Sequence, residues 1–127
     1  MGRISTTWQF ALCTAILAVC SSVAAQSTLG MADVKALISG NTVFTVNVAT
    51  GRTYSLYFDA SGEVQLQRED AGVFSGVWSV RADGTHCVSF NDETCGMIEK
   101  NADGTYTRVV AGAPPFKWTK ISPGRTF

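Results

Sequence analysis

The chain contains a single histidine, His86, set between Thr85 and Cys87. An imidazole works as a general base when an acid orients it and a nucleophile lies within hydrogen-bond reach. Ser89 and Asp92 are the nearest residues of those types, and strand alternation does not bring the three together. His86 is therefore expected to be an exposed residue at a strand start. The carboxylates are Asp33, Asp59, Glu63, Glu69, Asp70, Asp83, Asp92, Glu93, Glu99 and Asp103. Most fall in turn sequences, where Asp caps backbone amides or faces water. Asp92-Glu93 and Glu69-Asp70 are adjacent pairs of the kind that hold calcium or form an acid/base couple, but neither has the spacing of a metal loop. No phosphate-cradling glycine loop and no Gly-x-Ser-x-Gly elbow occurs. These residues point to no catalytic group, no metal and no cofactor.

Four cysteines divide into two pairs. Cys13 and Cys20 belong to an N-terminal stretch with the form of an export signal. Arg3 gives the positive start, Phe10 to Val19 is apolar and too short to span a bilayer, and Val23-Ala24-Ala25 supplies small residues for cleavage before Gln26. Leu17-Ala18-Val19-Cys20 also resembles a lipoprotein box, but the bulky Val19 disfavours lipidation at Cys20. Cys87 and Cys95 then remain as an even pair in an exported chain, which predicts a disulfide in the periplasm or outside the cell. Two thiols eight apart with one histidine do not make a zinc ligand set, and a redox pair is more often spaced C-x-x-C.

The aromatic residues are the more suggestive set. Tyr54, Tyr57, Phe58, Phe74, Trp78, Phe90, Tyr106, Phe116 and Trp118 are many for the 102 residues left after cleavage. In a small barrel the inward ones either fill the interior or leave room for one small apolar ligand. Tyr54, Phe58 and Trp78 are candidates to line such a site. Trp118 is another candidate; it stands between Lys117 and Lys120, near Pro114-Pro115, and can alternatively be read as a surface aromatic for a partner.

The elements that must position these residues follow from periodicity. Gln26 to Ile38 is the one helical stretch, with Met31, Val34, Leu37 and Ile38 on one face and Gly40 suited to end it. After Asn41 the period becomes two. Phe44, Val46 and Val48 alternate with Thr45 and Asn47; Tyr54, Leu56 and Phe58 follow, then Val64 and Leu66, then Phe74, Gly76, Trp78 and Val80. Further strands run through Val88 and Phe90, Met97 and Ile98, Tyr106 to Ala111, and Phe116 to Ile121. Gly62, Gly84 and Gly104 recur 22 and 20 residues apart, marking a turn at the same end after every second strand. About eight short strands without crossover helices predict an all-β antiparallel meander, a closed or nearly closed small barrel with a short N-terminal helix. An open, curled sheet is the rival. Residues 26–127 read as one domain.

The ordered set Gly40-Asn41-Thr42, Tyr57-Phe58, Gly76-x-Trp78-x-Val80, Asp83-Gly84 with Cys87 and Cys95, Gly104-x-Tyr106 and Pro123-Gly124 resembles a family of small exported bacterial β proteins of unknown function. The resemblance covers nearly all of residues 37–124. It implies a one-disulfide β fold in the envelope or medium and brings no catalytic residues. Arg125 stands where the family usually has Asn.

Charge narrows function further. Ten basic and ten acidic residues, with only Arg3 in the signal, leave the mature chain at net −1. Nothing in that balance favours nucleic acid or an anionic membrane surface, and no transmembrane segment is expected after cleavage. The expectation is a non-enzymatic exported binding module for a small apolar ligand or an envelope protein. The alternative is an inhibitor of an envelope protease or lysozyme-type hydrolase, acting through a rigid loop around Ala111 to Phe116.

Overall fold

Alternating apolar and polar residues between turn glycines become nine antiparallel strands in a computed structural model that describes residues 27–127. The export signal, its cleavage point, Cys13 and Cys20 lie outside the described residues. The elements are β1 (Ser27–Thr28), α1 (Met31–Ile38), β2 (Asn41–Asn47), β3 (Thr53–Phe58), β4 (Glu63–Arg68), β5 (Val73–Val80), β6 (His86–Ser89), β7 (Glu93–Lys100), β8 (Tyr106–Val109) and β9 (Phe116–Pro123). Each strand from β2 to β9 pairs with the next, and β9 returns to β2, so eight strands close into a barrel. β1 is the extra strand, laid along β7 with Ser27 opposite Lys100.

The helix holds the expected apolar face but starts later than the span expected from residue 26 to 38. Residues 27–29 are extended, and Leu29 N–H donates to the Ile98 carbonyl at 2.8 Å. Gly30 is the first residue that can leave that ladder, and the helix starts behind it. Val34 and Ile38 are its fully buried residues. Past Ser39, Gly40 takes a left-handed φ of 76°, which glycine adopts without steric cost.

β2 faces the opposite way from its hydrophobic pattern. Phe44 and Val46 were the expected core face, yet Val43 and Thr45 are the buried, inward pair and Phe44 and Val46 are only half-buried. The register explains the reversal. Val43 lies opposite Leu56, which lies opposite Leu66, and Thr45 lies opposite Tyr54, so the neighbours fix the phase. Phe44 instead lies outside under the Lys120 ammonium, 5.6 Å from its ring centre. A break in the β2–β9 register between Phe44 and Thr45 leaves Thr119 unpaired in the ladder.

Up-and-down connectivity gives the barrel two distinct ends. At one end the turns after β3, β5 and β7 each hold an Asp two residues before a Ser or Thr: Asp59 with Ser61, Asp83 with Thr85, Asp103 with Thr105. In each, the Asp carboxylate accepts the backbone N–H of the later residue. Hydrogen bonds from those hydroxyls, then from the amides, hold all three carboxyls below their ordinary range. The helix packs at this end, and Val34, Ile38, Val43, Val64, Val80 and Ile98 are buried around it. The chain terminus locks on here too. Gly124 N–H donates to the Gly40 carbonyl at 2.9 Å, and Thr42 Oγ1 donates to the Gly124 carbonyl at 2.6 Å.

Cys87 and Cys95 sit directly opposite each other across the β6–β7 hairpin, 4.1 Å apart at Cα, and their sulfurs are joined. Closing so short a loop limits the entropic gain to about 2–3 kcal/mol. The crosslink also fixes the register that turns His86 and Val88 inward.

Candidate functional site

At the end away from the helix the barrel is not filled. A cavity of about 270 Å³ is lined by residues from β2, β3, β4, β6, β7, β8 and β9, and by Phe90, Val110 and Ala113 of the connecting loops. Two strand glycines let the neighbouring Phe90 and Val110 segments close in around it. Gly76 faces inward beneath the Phe90 ring, and a methyl group there would strike the Ser89 carbonyl and Phe90 Cδ1. Gly96 lies opposite His86, and a Cβ there would strike the Val109 carbonyl and Val110 Cγ2. A glycine inside a strand marks just such a close approach.

Apolar walls come from Tyr54, Leu56, Phe58, Leu66, Val88 and Phe116. Tyr54 and Phe116 meet edge to face with ring centres 6.1 Å apart near the mouth. Of the aromatic candidates, Tyr54, Phe58 and Trp118 line the cavity and Trp78 does not. Trp78 packs edge-on against Phe58 at 5.5 Å, and its indole N–H donates to the Asp59 carbonyl at 2.8 Å. Trp118 is 3 % exposed, so it is an interior residue and not a surface anchor. Lys117 faces outward by strand alternation, and the break at Thr119 turns Lys120 outward as well, over the Phe44 ring.

The polar groups of the cavity are the part that sequence reasoning missed. His86, expected at the surface, is 1 % exposed and touches the rings of Phe58, Trp78 and Trp118 at 5.2, 6.5 and 5.6 Å. Its partner is not Ser89 or Asp92 but Arg108. Arg108 Nε–H donates to His86 Nδ1 at 3.0 Å, and Nη2 donates to the carbonyls of His86 (3.1 Å) and Thr94 (2.9 Å). Because Nδ1 accepts, the neutral ring carries its proton on Nε2. Burial, and then the neighbouring guanidinium, push the His86 pKa down to about 3. Burial lowers Arg108 to about 10, which leaves it protonated at neutral pH.

Arg108 is 7 % exposed, and among the described residues no carboxylate pairs with it. It is also the one charged residue lining the cavity. Among the described residues none accepts from its Nη1. Two polar atoms of the lining residues, Thr45 Oγ1 and His86 Nε2, are buried without a hydrogen bond there. The signal for Arg108 was present: Tyr106 and Arg108 alternate on the inward face of β8, and Val110 follows just past it in the same phase. Thr45 was hidden by the reversed phase of β2.

The chain matches no family model, no curated protein and no solved structure. Function therefore rests on the geometry of this cavity.

The carboxylate pairs singled out from the sequence are engaged locally. Glu69 Oε1 accepts from the hydroxyl of Thr53 and from its N–H, while Glu93 pairs with Arg81 at 3.3 Å on the surface. Cys87, Glu93 and Cys95 are close enough to share an ion, but the joined sulfurs offer no thiolate.

Proposed function

We propose that this chain is a non-enzymatic, exported binding module that takes one small, largely apolar ligand into the open end of its barrel. The observation that carries the reading is the apolar cavity lined by one buried cation and a few unpartnered polar groups, the usual make-up of a ligand site. A dry, engineered cavity of about 150 Å³ accepts benzene, so about 270 Å³ is room for a somewhat larger molecule. The state of His86 supports a binding role over catalysis. A cation orients it, burial keeps it neutral, and neither a nucleophile nor an acid bonds to it. The loop that an inhibitor would present contributes Ala113 and Phe116 to the cavity wall, which supports the ligand reading over the inhibitor.

Native mass spectrometry of the exported, disulfide-bonded protein tests the proposal. A reproducible extra mass that leaves on denaturation is expected, and Ala113→Phe, which fills the mouth from an exposed loop, should abolish it. An apo mass, together with no shift in thermal unfolding on adding 1-decanol, would overturn it.

A further inference from the structure

The geometry points to a ligand with a single negative charge: a monocarboxylate with an apolar tail of about ten carbons, its head on Arg108 and its tail toward Tyr54 and Phe116. This inference rests on the cavity being a ligand site and names the class of molecule that fills it.

A buried guanidinium is costly unless an anion meets it. Arg108 spends Nε and Nη2 on His86 and Thr94, which lock the side chain in place, and among the described residues none accepts from Nη1. The Thr45 hydroxyl and the His86 Nε2–H are the other unmet polar groups of the lining residues. Both can donate to an oxygen. His86 Nδ1 faces the guanidinium, so its Nε2–H points the other way, and a compact oxyanion is met by the fixed charge of Arg108 itself. That charge suits a monoanion better than a doubly charged head, because no second cation lines the cavity. The remaining lining is aliphatic and aromatic, which calls for a tail. Scaling from the cavity of about 150 Å³ that accepts six carbons gives a tail of about ten.

The direction of the molecule follows from the barrel. The Arg108 guanidinium is held at the buried His86, whereas Tyr54 and Phe116, the latter opposite Arg108 in the β8–β9 ladder, are only half-buried where β3 and β9 begin. The head therefore enters first. The interior beyond Arg108 is closed by the buried cluster around Val34, Ile38 and Ile98.

Calorimetric titration of the exported chain at pH 7 with decanoate, 1-decanol and decylammonium reads the head group directly. Decanoate should bind about ten- to a hundredfold more tightly than 1-decanol, the range of a charge-assisted hydrogen bond, and decylammonium should not bind. Arg108→Gln should erase the preference for decanoate while leaving 1-decanol within about threefold. Should that variant fail to fold, Arg108→Lys and the wild-type ratio decide: the lysine variant keeps a preference for decanoate, reduced in size. Equal binding of decanoate and 1-decanol overturns the head-group assignment and leaves the apolar site standing. Binding of none of the three overturns the apolar site and the assignment with it.

Discussion

The two ends of the barrel are finished by different chemistry. At the helix end, three Asp-capped turns are short and satisfied, α1 covers the opening, and the C-terminal Gly124 is tied to Gly40 and Thr42. At the open end Val48, Val73, Phe74 and Val109 stand exposed, and among the described residues the buried Thr45 Oγ1 and His86 Nε2 of the cavity lining have no partners. Stability is concentrated in the first end and unspent binding capacity in the second. An end that must admit a molecule cannot also be packed, since close packing leaves no room for one.

The largest expected effect separates the ends by truncation. Ile38→Ala removes a fully buried side chain from the plug and should cost about 2–5 kcal/mol. Phe116→Ala at the mouth removes a half-buried ring and one edge-to-face contact, and should cost about 1 kcal/mol. Ligand binding should respond in the reverse order. Urea unfolding of both variants checks this. A Phe116→Ala cost equal to that of Ile38→Ala would mean that the open end is ordinary core.

How far the sequence could be read differs between the ends for the same reason. Turn chemistry is local, so Asp83-Gly84, Asp103-Gly104 and Gly62 declared turns at one shared end, and the meander and its strand count followed from them, while the Cys87–Cys95 pairing came from the even pair of cysteines left after the signal. The cavity depends on which residues point inward together, and that is a property of register. Phe44 and Val46 look more like core than Val43 and Thr45, and only pairing with β3 and β9 selects the latter. His86 and Arg108 are 22 residues apart and meet because β6 and β8 both flank β7. A charged residue in a strand reads as solvated until its alternation with Tyr106 and Val110 is weighed. Trp78 was a plausible wall of the site, but an inward Trp can serve as packing behind Phe58 as well as lining in front of it.

The pH dependence of folding tests the boundary between the ends, where His86 sits. The groups facing it are the Arg108 cation and the rings of Phe58, Trp78 and Trp118. Unfolded, its pKa is near the ordinary 6.5; folded, it is about 3. The unfolded chain therefore takes up a proton first as pH falls. Stability is full above about 6.5 and declines from there down to about 3. By pH 5 the loss should be about 2 kcal/mol. The lowered carboxyls of Asp59, Asp83 and Asp103 act only near their ordinary 3.8 and below, so they do not enter the range from pH 7.5 to 5. His86 is the only histidine, and His86→Gln should flatten the profile between pH 7.5 and 5. A wild-type profile already flat over that range would place His86 in contact with water.

The smallest effect compares two turns within the helix end. Gly84 and Gly104 have nearly the same left-handed φ, 91° and 87°, and the same Asp-Gly-Thr setting. Alanine at either pays about 1 kcal/mol for the backbone conformation. Space tells them apart. A Cβ on Gly104 meets nothing within 4 Å, while one on Gly84 strikes the Leu29 carbonyl and lies 3.1 Å from Gly30 Cα. Those are backbone atoms of the segment that joins β1 to α1, so they yield only if that segment shifts. Gly84→Ala should therefore cost more than Gly104→Ala, by about 1 kcal/mol, and should loosen Leu29 from the Ile98 carbonyl. Thermal melts give the first difference and amide exchange at Leu29 the second. If the two variants melt together and Leu29 stays protected, the β1–α1 segment is not seated on the Gly84 turn.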